Sequence, residues 1–434
     1  MRILHVHKYY HTHDGAGRYI FDVMRLQEEA GHIVAPLAMH DPRNQKSAWD
    51  KFFVSSLDTK RISFGLNGLF QTLRAVWSFE AKRQMEAMVK AFRPDVVHVH
   101  NLYTHLSPSV LAVCRKYRIP VVMTVHDYAL VSANYSLWDG QQPMSPKRLG
   151  LLKVSRSKFI KQSFLATFIL ELIYRFQKKL RLYDRAIDVY LASSEFVKRT
   201  LVEAGYAADK IQVLPLFAGN LLEGAMTAPP SLPMTVLRDS KMTAPSNSPI
   251  AGGGSEGKRA GVLFAGRLED YKGIDLFLQA ASAFPKTQFY IAGTGPEEAA
   301  VREAERQSDN LHLLGFLEAN ELWSKMASSE LVIVPSRWAE AYGLVAIEAM
   351  ACGTPVLVSD AGGLPEKVKD GVNGLIFKAG DIQDLTSKLK AALKHPKDLE
   401  KMGQGAFRYA KAQADPYRHI HRLLEVYEGL VIHR

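Results

Sequence analysis

The stretch LVIVPSRWAEAYGLVAIEAMACGTPVLV, residues 331–358, predicts a strand, a loop, a short helix and a second strand. Its first four and last three residues are apolar and mostly β-branched, as in a buried strand. Residues 346–351 are good helix formers, Gly353 suits the position just past a helix end, and Pro355 cannot continue a helix. We therefore expect one strand–loop–helix–strand unit here.

Two glutamates frame the junction between this loop and the helix. Glu340 lies in the loop, and Glu348 follows about two helical turns later. The backbone amides of Gly343, Leu344 and Val345 come between them, where a helix start offers N–H groups to an anion. The pattern favours a phosphate flanked by two carboxylates, one for sugar hydroxyls and one for a ribose diol. An isolated pair of this kind would more often be two surface residues.

The longer string around the glutamates favours the first interpretation. It continues as EAMACGTPV and then as DAGGLPE at 360–366, and in this form it closely resembles the family 4 retaining glycosyltransferases. The resemblance covers nearly the whole chain. It implies an α/β fold of two Rossmann-like domains facing across a cleft (GT-B type), a nucleoside-diphosphate sugar as donor, and retention of anomeric configuration. One departure is Ala341-Tyr342, where the family often has Gly-Phe.

The resemblance also implies roles for individual residues. Glu340 would hold hydroxyls of the donor sugar and Glu348 the ribose, with the amides of 343–345 on the diphosphate. In GRLEDYKG at 266–273, Arg267 and Lys272 match the family's donor-phosphate pair. Two cations after a buried strand suit a diphosphate whose negative charge grows as the sugar leaves. Secondary donor-site candidates follow the next two strands: Gly293, Gly295, Phe316 and Leu317.

The N-terminal part carries further candidates. Gly15 and Gly17, in DGAGR at 14–18, resemble the family's N-terminal glycine loop, although Asp14 stands where a first glycine is common. Ile20 occupies the position of the third glycine of a dinucleotide fingerprint, which weakens an NAD-binding interpretation. His126 ends a strand and matches the family's active-site histidine. The nearby His98, His100 and His105 are interpreted as structural or acceptor-side residues.

No Asp-x-Asp occurs anywhere, and no histidine and carboxylate spacing favours a metal site. The resulting prediction is that the chain needs no metal and no other cofactor. Two rival functions share the architecture: a nucleotide-sugar epimerase, and a non-catalytic nucleotide-sugar-binding protein. The presence of both glutamates, His126, Arg267 and Lys272 argues against a decayed site.

Composition limits the class of protein. The 434 residues are 47% apolar and 23% charged, which is typical of a globular protein. Cys114 and Cys352 form no C-x-x-C pair, and the N-terminus reads as a strand rather than a secretory signal, so we expect a cytoplasmic protein. The net charge is +11. Residues 1–216 hold 31 Lys and Arg against 18 Asp and Glu, so an anionic surface or substrate is expected on this half. No nucleic acid is expected as a partner.

The basic excess is concentrated in one segment. Residues 146–185 hold eleven Lys or Arg against Glu171 and Asp184, and the composition is helical. The apolar run at 164–174 is too short to span a bilayer. Two interpretations stay open, a pair of packed helices with solvated basic faces and a peripheral contact with an anionic membrane at its inner face.

The alternation of strands and helices predicts the domain organisation. We expect a Rossmann-like acceptor domain at 1–217, an inter-domain connection with a flexible insertion at 218–258, a nucleotide-sugar-binding Rossmann-like domain at 259–415, and a helix at 416–434 that crosses back to the first domain. Strands are predicted at 3–6, 33–37, 96–100, 121–126, 211–214, 261–265, 289–292, 311–313, 331–334, 356–358 and 375–377. Together these features predict a retaining hexosyltransferase that acts on a glycan or lipid-linked acceptor, in cell-surface polysaccharide or glycolipid synthesis.

Overall fold

The computed structural model describes residues 1–12, 14–56, 72–146, 149–157, 163–219 and 259–432. The described residues form two compact units. The first takes its residues from Met1–Asp139, Met144–Leu214 and Arg418–Arg434, and the second from Gly140–Pro143 and Pro215–Tyr417. The predicted insertion within 218–258 lies almost entirely outside the described residues.

The first unit contains a six-stranded parallel sheet of order β2-β1-β3-β4-β5-β6. Its central strands are buried along their whole length, as expected for parallel strands covered on both faces. The strands are β1 Arg2–Val6, β2 Ile33–Leu37, β3 Val96–Val99, β4 Val121–Val125, β5 Val189–Ala192 and β6 Ile211–Val213.

Helices pack on this sheet, and one of them is the last helix of the chain, α14 (Pro416–Ile432). Tyr427 and Leu423 of α14 are fully buried, and Arg422 donates to the carbonyl of Val213 at 3.1 Å. The helices of this unit are α1 Gly15–Glu29, α2 Phe79–Phe92, α3 Tyr103–Leu106, α4 Ser109–Tyr117, α5 Leu151–Arg156, α6 Phe164–Lys179, α7 Glu195–Glu203 and, but for its first two residues, α14 Pro416–Ile432.

The second unit contains a six-stranded parallel sheet of order β12-β11-β10-β7-β8-β9. From β9 inward this is the strand order of a doubly wound dinucleotide-binding fold, with its reversal point between β7 and β10. The strands are β7 Val262–Ala265, β8 Phe289–Ala292, β9 Leu311–Gly315, β10 Leu331–Val334, β11 Val356–Ser359 and β12 Gly374–Phe377. The helices are α8 Ile274–Ala283, α9 Glu298–Arg306, α10 Ala319–Ser328, α11 Leu344–Ala351, α12 Ile382–Lys394 and α13 Pro396–Gln413.

The predicted α/β class with two Rossmann-like sheets is confirmed. The sequence prediction did not include β5, because its four apolar residues directly follow the long basic helical segment and carry no turn signal of their own. The described residues of that segment contain two helices, α5 and α6, which pack on each other. None of the helices in the described ranges is both long and apolar enough to cross a membrane.

Candidate active site

The loops that follow β7 and β10 meet at the reversal point of the second sheet. The backbone amides of Arg337 and Trp338 donate to the carbonyl of Tyr271 at 2.8 and 3.3 Å. Gly273 ends the β7 loop with a φ of 73°, and a Cβ there would lie 2.0 Å from the carbonyl oxygen of Pro335. Glycine is therefore required where the two loops touch. Ligands of open parallel sheets bind at this edge.

Lys272 and Glu340 connect these loops through their side chains. The Lys272 ammonium lies 2.5 Å from Oε1 of Glu340, and the Ser336 hydroxyl donates to the same oxygen at 2.9 Å. The ammonium also lies 4.6 Å from the centre of the Trp338 ring, a cation–π contact. The buried carboxylate is thus fixed by a cation and a hydroxyl.

Two opposing effects act on the pKa of Glu340. Burial raises it, while the charge of Lys272 and hydrogen bonds from Lys272, Trp338 and Ser336 lower it, and the net shift is downward. Glu340 is therefore ionised at neutral pH and forms an ion pair with Lys272. The sequence predicted both residues as site candidates but did not predict that they would contact each other.

The loop after β11 supports Glu340 from the other side. Gly363 donates its amide to the carbonyl of Glu340 at 2.7 Å, and a Cβ on Gly362 would lie 2.4 Å from the Glu340 backbone nitrogen. Lys367 is buried, and its ammonium donates to the carbonyls of Tyr342 and Gly363. Burial lowers the pKa of Lys367 to about 8, although nearby carboxylates raise it.

Lys367 was not among the predicted site residues. In the sequence this lysine directly follows DAGGLPE, a pattern that is typical of a surface position. Only the tertiary contact with the Tyr342 carbonyl and with the face of its ring, 4.2 Å from the ammonium, gives it a role in holding the glutamate loop.

Helix α11 begins at this loop as predicted. Gly343 is its N-cap residue with a φ of 78°, and the first amide bonded within the turn is that of Ala346, to the Gly343 carbonyl at 3.0 Å. The amides of 343–345 precede this bond and so lie outside the helical ladder, where they can serve an anion. Glu348 lies on α11 and is buried, at 5% exposure.

The glycines after β8 have a packing role in the structure. A Cβ on Gly293 would lie 1.8 Å from the carbonyl oxygen of Gly266, and one on Gly295 would lie 2.4 Å from that of Leu268. These glycines allow the β8 loop to pack against the β7 loop that carries Arg267 and Lys272. Their predicted direct contact with a donor stays a prediction.

The remaining candidates of this unit are more exposed. Arg267 pairs with Glu269, and its side chain is 62% exposed. Phe316 and Leu317 directly follow β9, and Phe316 is exposed while Leu317 is partly buried. Their predicted roles toward a donor stay predictions.

In the first sheet the strand order reverses between β1 and β3. Asp14 caps α1 and accepts from the amide of Gly17 at 2.6 Å. A Cβ on Gly17 would lie 2.2 Å from the carbonyl oxygen of His11, so this glycine fits a tight turn; Gly15 is the first residue of α1. His126 follows β4, two strands away from β1.

A chain of buried histidines leads to His126. His5 donates from Nε2 to the Gln27 amide oxygen at 2.7 Å, which leaves its Nδ1 as an acceptor 3.2 Å from Nε2 of His100. Nδ1 of His100 in turn lies 3.1 Å from Nε2 of His126. With neutral rings, this order of donors assigns the proton of His126 to Nε2 and leaves its Nδ1 as an acceptor, suited to a hydroxyl group.

A second arm of the network begins at the same glutamine. Gln27 donates to the hydroxyl of Tyr427 in α14, and this hydroxyl lies 2.6 Å from Nδ1 of His98. Nε2 of His98 lies 2.7 Å from the Thr124 hydroxyl. Burial lowers the pKa of His5 and of His126 to about 4, and those of His98 and His100 also lie well below 6.5, chiefly because of burial.

His5, His98 and His100 have one ring nitrogen each within 4.8 Å of one another and so could hold a metal ion. Every ring nitrogen of the three has a hydrogen-bond partner among the residues just described, so the cluster is complete as a network of neutral rings. The sequence-based expectation of a metal-independent protein stays a prediction.

Two family models match the chain. The model described as Glycosyltransferase Family 4 matches residues 13–217, and the model described as Glycosyl transferases group 1 matches residues 250–409. The chain belongs to the family 4 glycosyltransferases. The resemblance drawn from the string at 340–366 is thereby confirmed.

Relatives of this glycosyltransferase differ in how much of it they cover. An uncharacterized 42.6 kDa protein in the cps region of Klebsiella pneumoniae is 24% identical over 89% of this chain and 92% of that protein. Glycogen synthase of Mycobacterium tuberculosis is 25% identical over 90% of this chain and 85% of that enzyme. D-inositol 3-phosphate glycosyltransferase of Mycolicibacterium smegmatis is 38% identical, but over only 30% of this chain and 32% of that enzyme.

Solved structures share the fold of this glycosyltransferase along its whole length. Anabaena HepE in complex with UDP superposes with a TM-score of 0.64 at 18% identity, covering 99% of this chain and all of that one. Sucrose-phosphate synthase from Thermosynechococcus elongatus has a TM-score of 0.66 at 15% identity, with both chains covered fully. At these identities the likeness concerns the fold.

Proposed function

We propose that this glycosyltransferase moves a hexose from a nucleoside-diphosphate sugar to a glycan or lipid-linked acceptor, with retention of configuration, in the synthesis of a cell-surface polysaccharide or glycolipid. The observation that carries the proposal is the Lys272–Glu340 ion pair, held at the reversal point of the second sheet beside the N-terminus of α11. A cation, a carboxylate and helix-start amides are the groups that a sugar diphosphate requires.

The proposed reaction assigns a task to each group. Lys272, Arg267 and the amides of 343–345 stabilise the diphosphate as its charge grows, because positive groups fixed before the reaction need no reorganisation. Glu340 accepts hydrogen bonds from hydroxyls of the donor sugar, and Glu348 binds the ribose diol. For His126 we predict a hydrogen bond to a sugar hydroxyl through Nδ1.

We propose that the acceptor attacks the front face of the donor sugar, so that the anomeric configuration is retained. No residue in the sequence is marked by its spacing as a covalent nucleophile, so the acceptor hydroxyl would attack on the side from which the diphosphate leaves. The departing phosphate would then be the natural proton acceptor. The cation and the helix-start amides together provide the charge stabilisation that a divalent metal ion supplies in other enzymes. We propose that this enzyme needs no metal ion.

The structural relatives support a nucleotide-sugar donor. HepE has been solved with UDP and with UDP-glucose, and we therefore propose a UDP-hexose as the first donor to test. A further structure of similar fold, the lipopolysaccharide outer core galactosyltransferase WaaB, supports a glycan or lipid-linked acceptor. We place the enzyme in the cytoplasm, with the basic first unit as the acceptor-binding part.

Slow transfer to water tests this proposal without a known acceptor. The purified chain is incubated with UDP-, GDP- or ADP-linked hexoses while proton NMR follows the anomeric signals. We expect free hexose from one donor, released first as the same anomer as in the donor, and none from the Glu340→Gln variant. Release of the opposite anomer would contradict retention. A second nucleotide-sugar in place of free hexose would contradict transfer and identify an epimerase.

A further inference from the structure

Helix α6 turns a row of large apolar side chains outward. Its buried residues are Thr167, Glu171, Ile173 and Gln177. Its exposed residues include four large apolar side chains at successive helical turns, which we call the α6 stripe: Leu165, Ile169, Leu172 and Phe176, with exposures of 53%, 38%, 43% and 52%. A helix on the surface of a soluble protein normally turns such a stripe to the core.

The polar contacts of the buried face fix this orientation. Glu171 accepts from the Ser132 hydroxyl at 3.1 Å and from the Ala133 amide at 3.0 Å, and it pairs with Arg175. Gln177 donates to the carbonyls at 75 and 76, each at 3.3 Å. Rolling the helix over would bury apolar groups but would leave these buried polar groups without partners, which is costly. The outward stripe is therefore a property of the folded unit.

Exposed positive charges lie on α6 itself, on α5, which packs on α6, and just after α6. Lys179 continues the same face one turn beyond Phe176, and Arg175 lies beside it. Other exposed cations lie on α5 and just after α6: Lys153, Arg156, Arg181 and Arg185. The acidic residues of this region are few, since Glu171 is buried and paired, and Asp184 lies near Arg181. An apolar stripe with basic margins is the pattern of a helix that lies in a membrane interface.

We propose that α6 binds the surface of an anionic membrane, with the α6 stripe inserted at the boundary between head groups and acyl chains and Lys179 in contact with anionic head groups. Charge complementarity selects this partner, because an apolar protein interface would not need the exposed cations on α6 and α5. The surface serves attachment and does not depend on the proposed sugar-transfer chemistry.

Vesicle flotation of the full chain tests the assignment. We expect binding to vesicles that contain phosphatidylglycerol and weak binding to pure phosphatidylcholine, with added salt reducing the difference. The double variant Ile169→Gln/Phe176→Gln should bind at least about tenfold more weakly, because two large side chains no longer enter the apolar layer. Lys179→Gln should lose about fivefold on the anionic vesicles only.

Matched control variants keep the test specific. Ile33→Gln/Phe79→Gln replaces the same residue types at positions that are 54% and 78% exposed elsewhere in the unit, and Lys46→Gln removes an exposed cation. These controls should bind as the wild type does. Thermal unfolding by circular dichroism confirms that each variant is folded. Equal binding of the stripe variant and its control would overturn the proposal. So would a wild-type dimer that the stripe variant converts to a monomer, because the stripe would then contact a second copy.

Discussion

Replacing Lys272 with methionine is expected to lower the rate of sugar transfer by about 10²–10³, the loss typical of removing one fixed group that stabilises a developing anion. The same change should destabilise the second unit by about 3–5 kcal/mol, because it leaves the buried Glu340 carboxylate without its cation. Transfer rates give the first effect. Denaturant unfolding, read by hydrogen exchange in peptides of β10 and α11, gives the second.

A double variant separates the two roles of this lysine. In Lys272→Met/Glu340→Gln the buried charge is gone along with its partner, so most of the lost stability should return while transfer stays impaired. Arg337→Met serves as a control of the same kind, because Arg337 forms a partly exposed ion pair with Asp275 next to the same loop. A single Lys272→Met variant as stable as the wild type would show that the pair does not carry charge in the folded chain.

Acidification is expected to destabilise the first unit strongly. The pKa of His5 is about 4 in the folded chain and those of His98 and His100 are also depressed, against 6.5 for the unfolded residue. Between these values the unfolded state holds more protons, so stability is fully present above pH 6.5 and is lost as the pH falls towards 4. Each such histidine contributes about 1.4 kcal/mol per pH unit to this slope. Unfolding followed by hydrogen exchange in β1 and β3, from about pH 7 to about pH 5, measures the slope.

Two histidine variants identify the source of this slope. His100→Gln keeps a hydrogen-bonding side chain but removes one buried titrating ring, so the unfolding reaction should take up about one proton fewer. As a control for the substitution itself, His421→Gln removes a ring that is 59% exposed on α14. A stability that is flat across this pH range would contradict the neutral histidine network.

The sequence predicted the fold because the relevant signals are local. Apolar four-residue runs alternate with capped helices. The structure contains the predicted strand–loop–helix–strand unit at 331–358, and Gly343 is the N-cap of its helix. β5 was not predicted, since Val189–Ala192 carries no local turn signal and is recognised only by its pairing with β4 and β6.

The site was predicted as a set of residues and not as a set of contacts. Glu340 and Lys272 were assigned from their motifs, but their pairing joins two loops that are 68 positions apart in sequence. Lys367 and Gln27 were missed for the same reason, because their partners are carbonyls and rings supplied by other elements. The sequence also did not predict which face of α6 is buried, since composition indicates an amphipathic helix but does not say which face packs inward.

We propose above all that the second unit binds a nucleoside diphosphate through α11, Lys272 and Glu348. Isothermal titration calorimetry of the purified chain against UDP, GDP and ADP, with a metal chelator present, tests it most directly. We expect one of the three nucleotides to bind tightly, and we expect both Lys272→Ala and Glu348→Ala to weaken its binding, while Lys46→Gln does not. This proposal would be contradicted if none of the three nucleotides bound. It would also be contradicted if the two site variants bound the nucleotide as tightly as the wild type does.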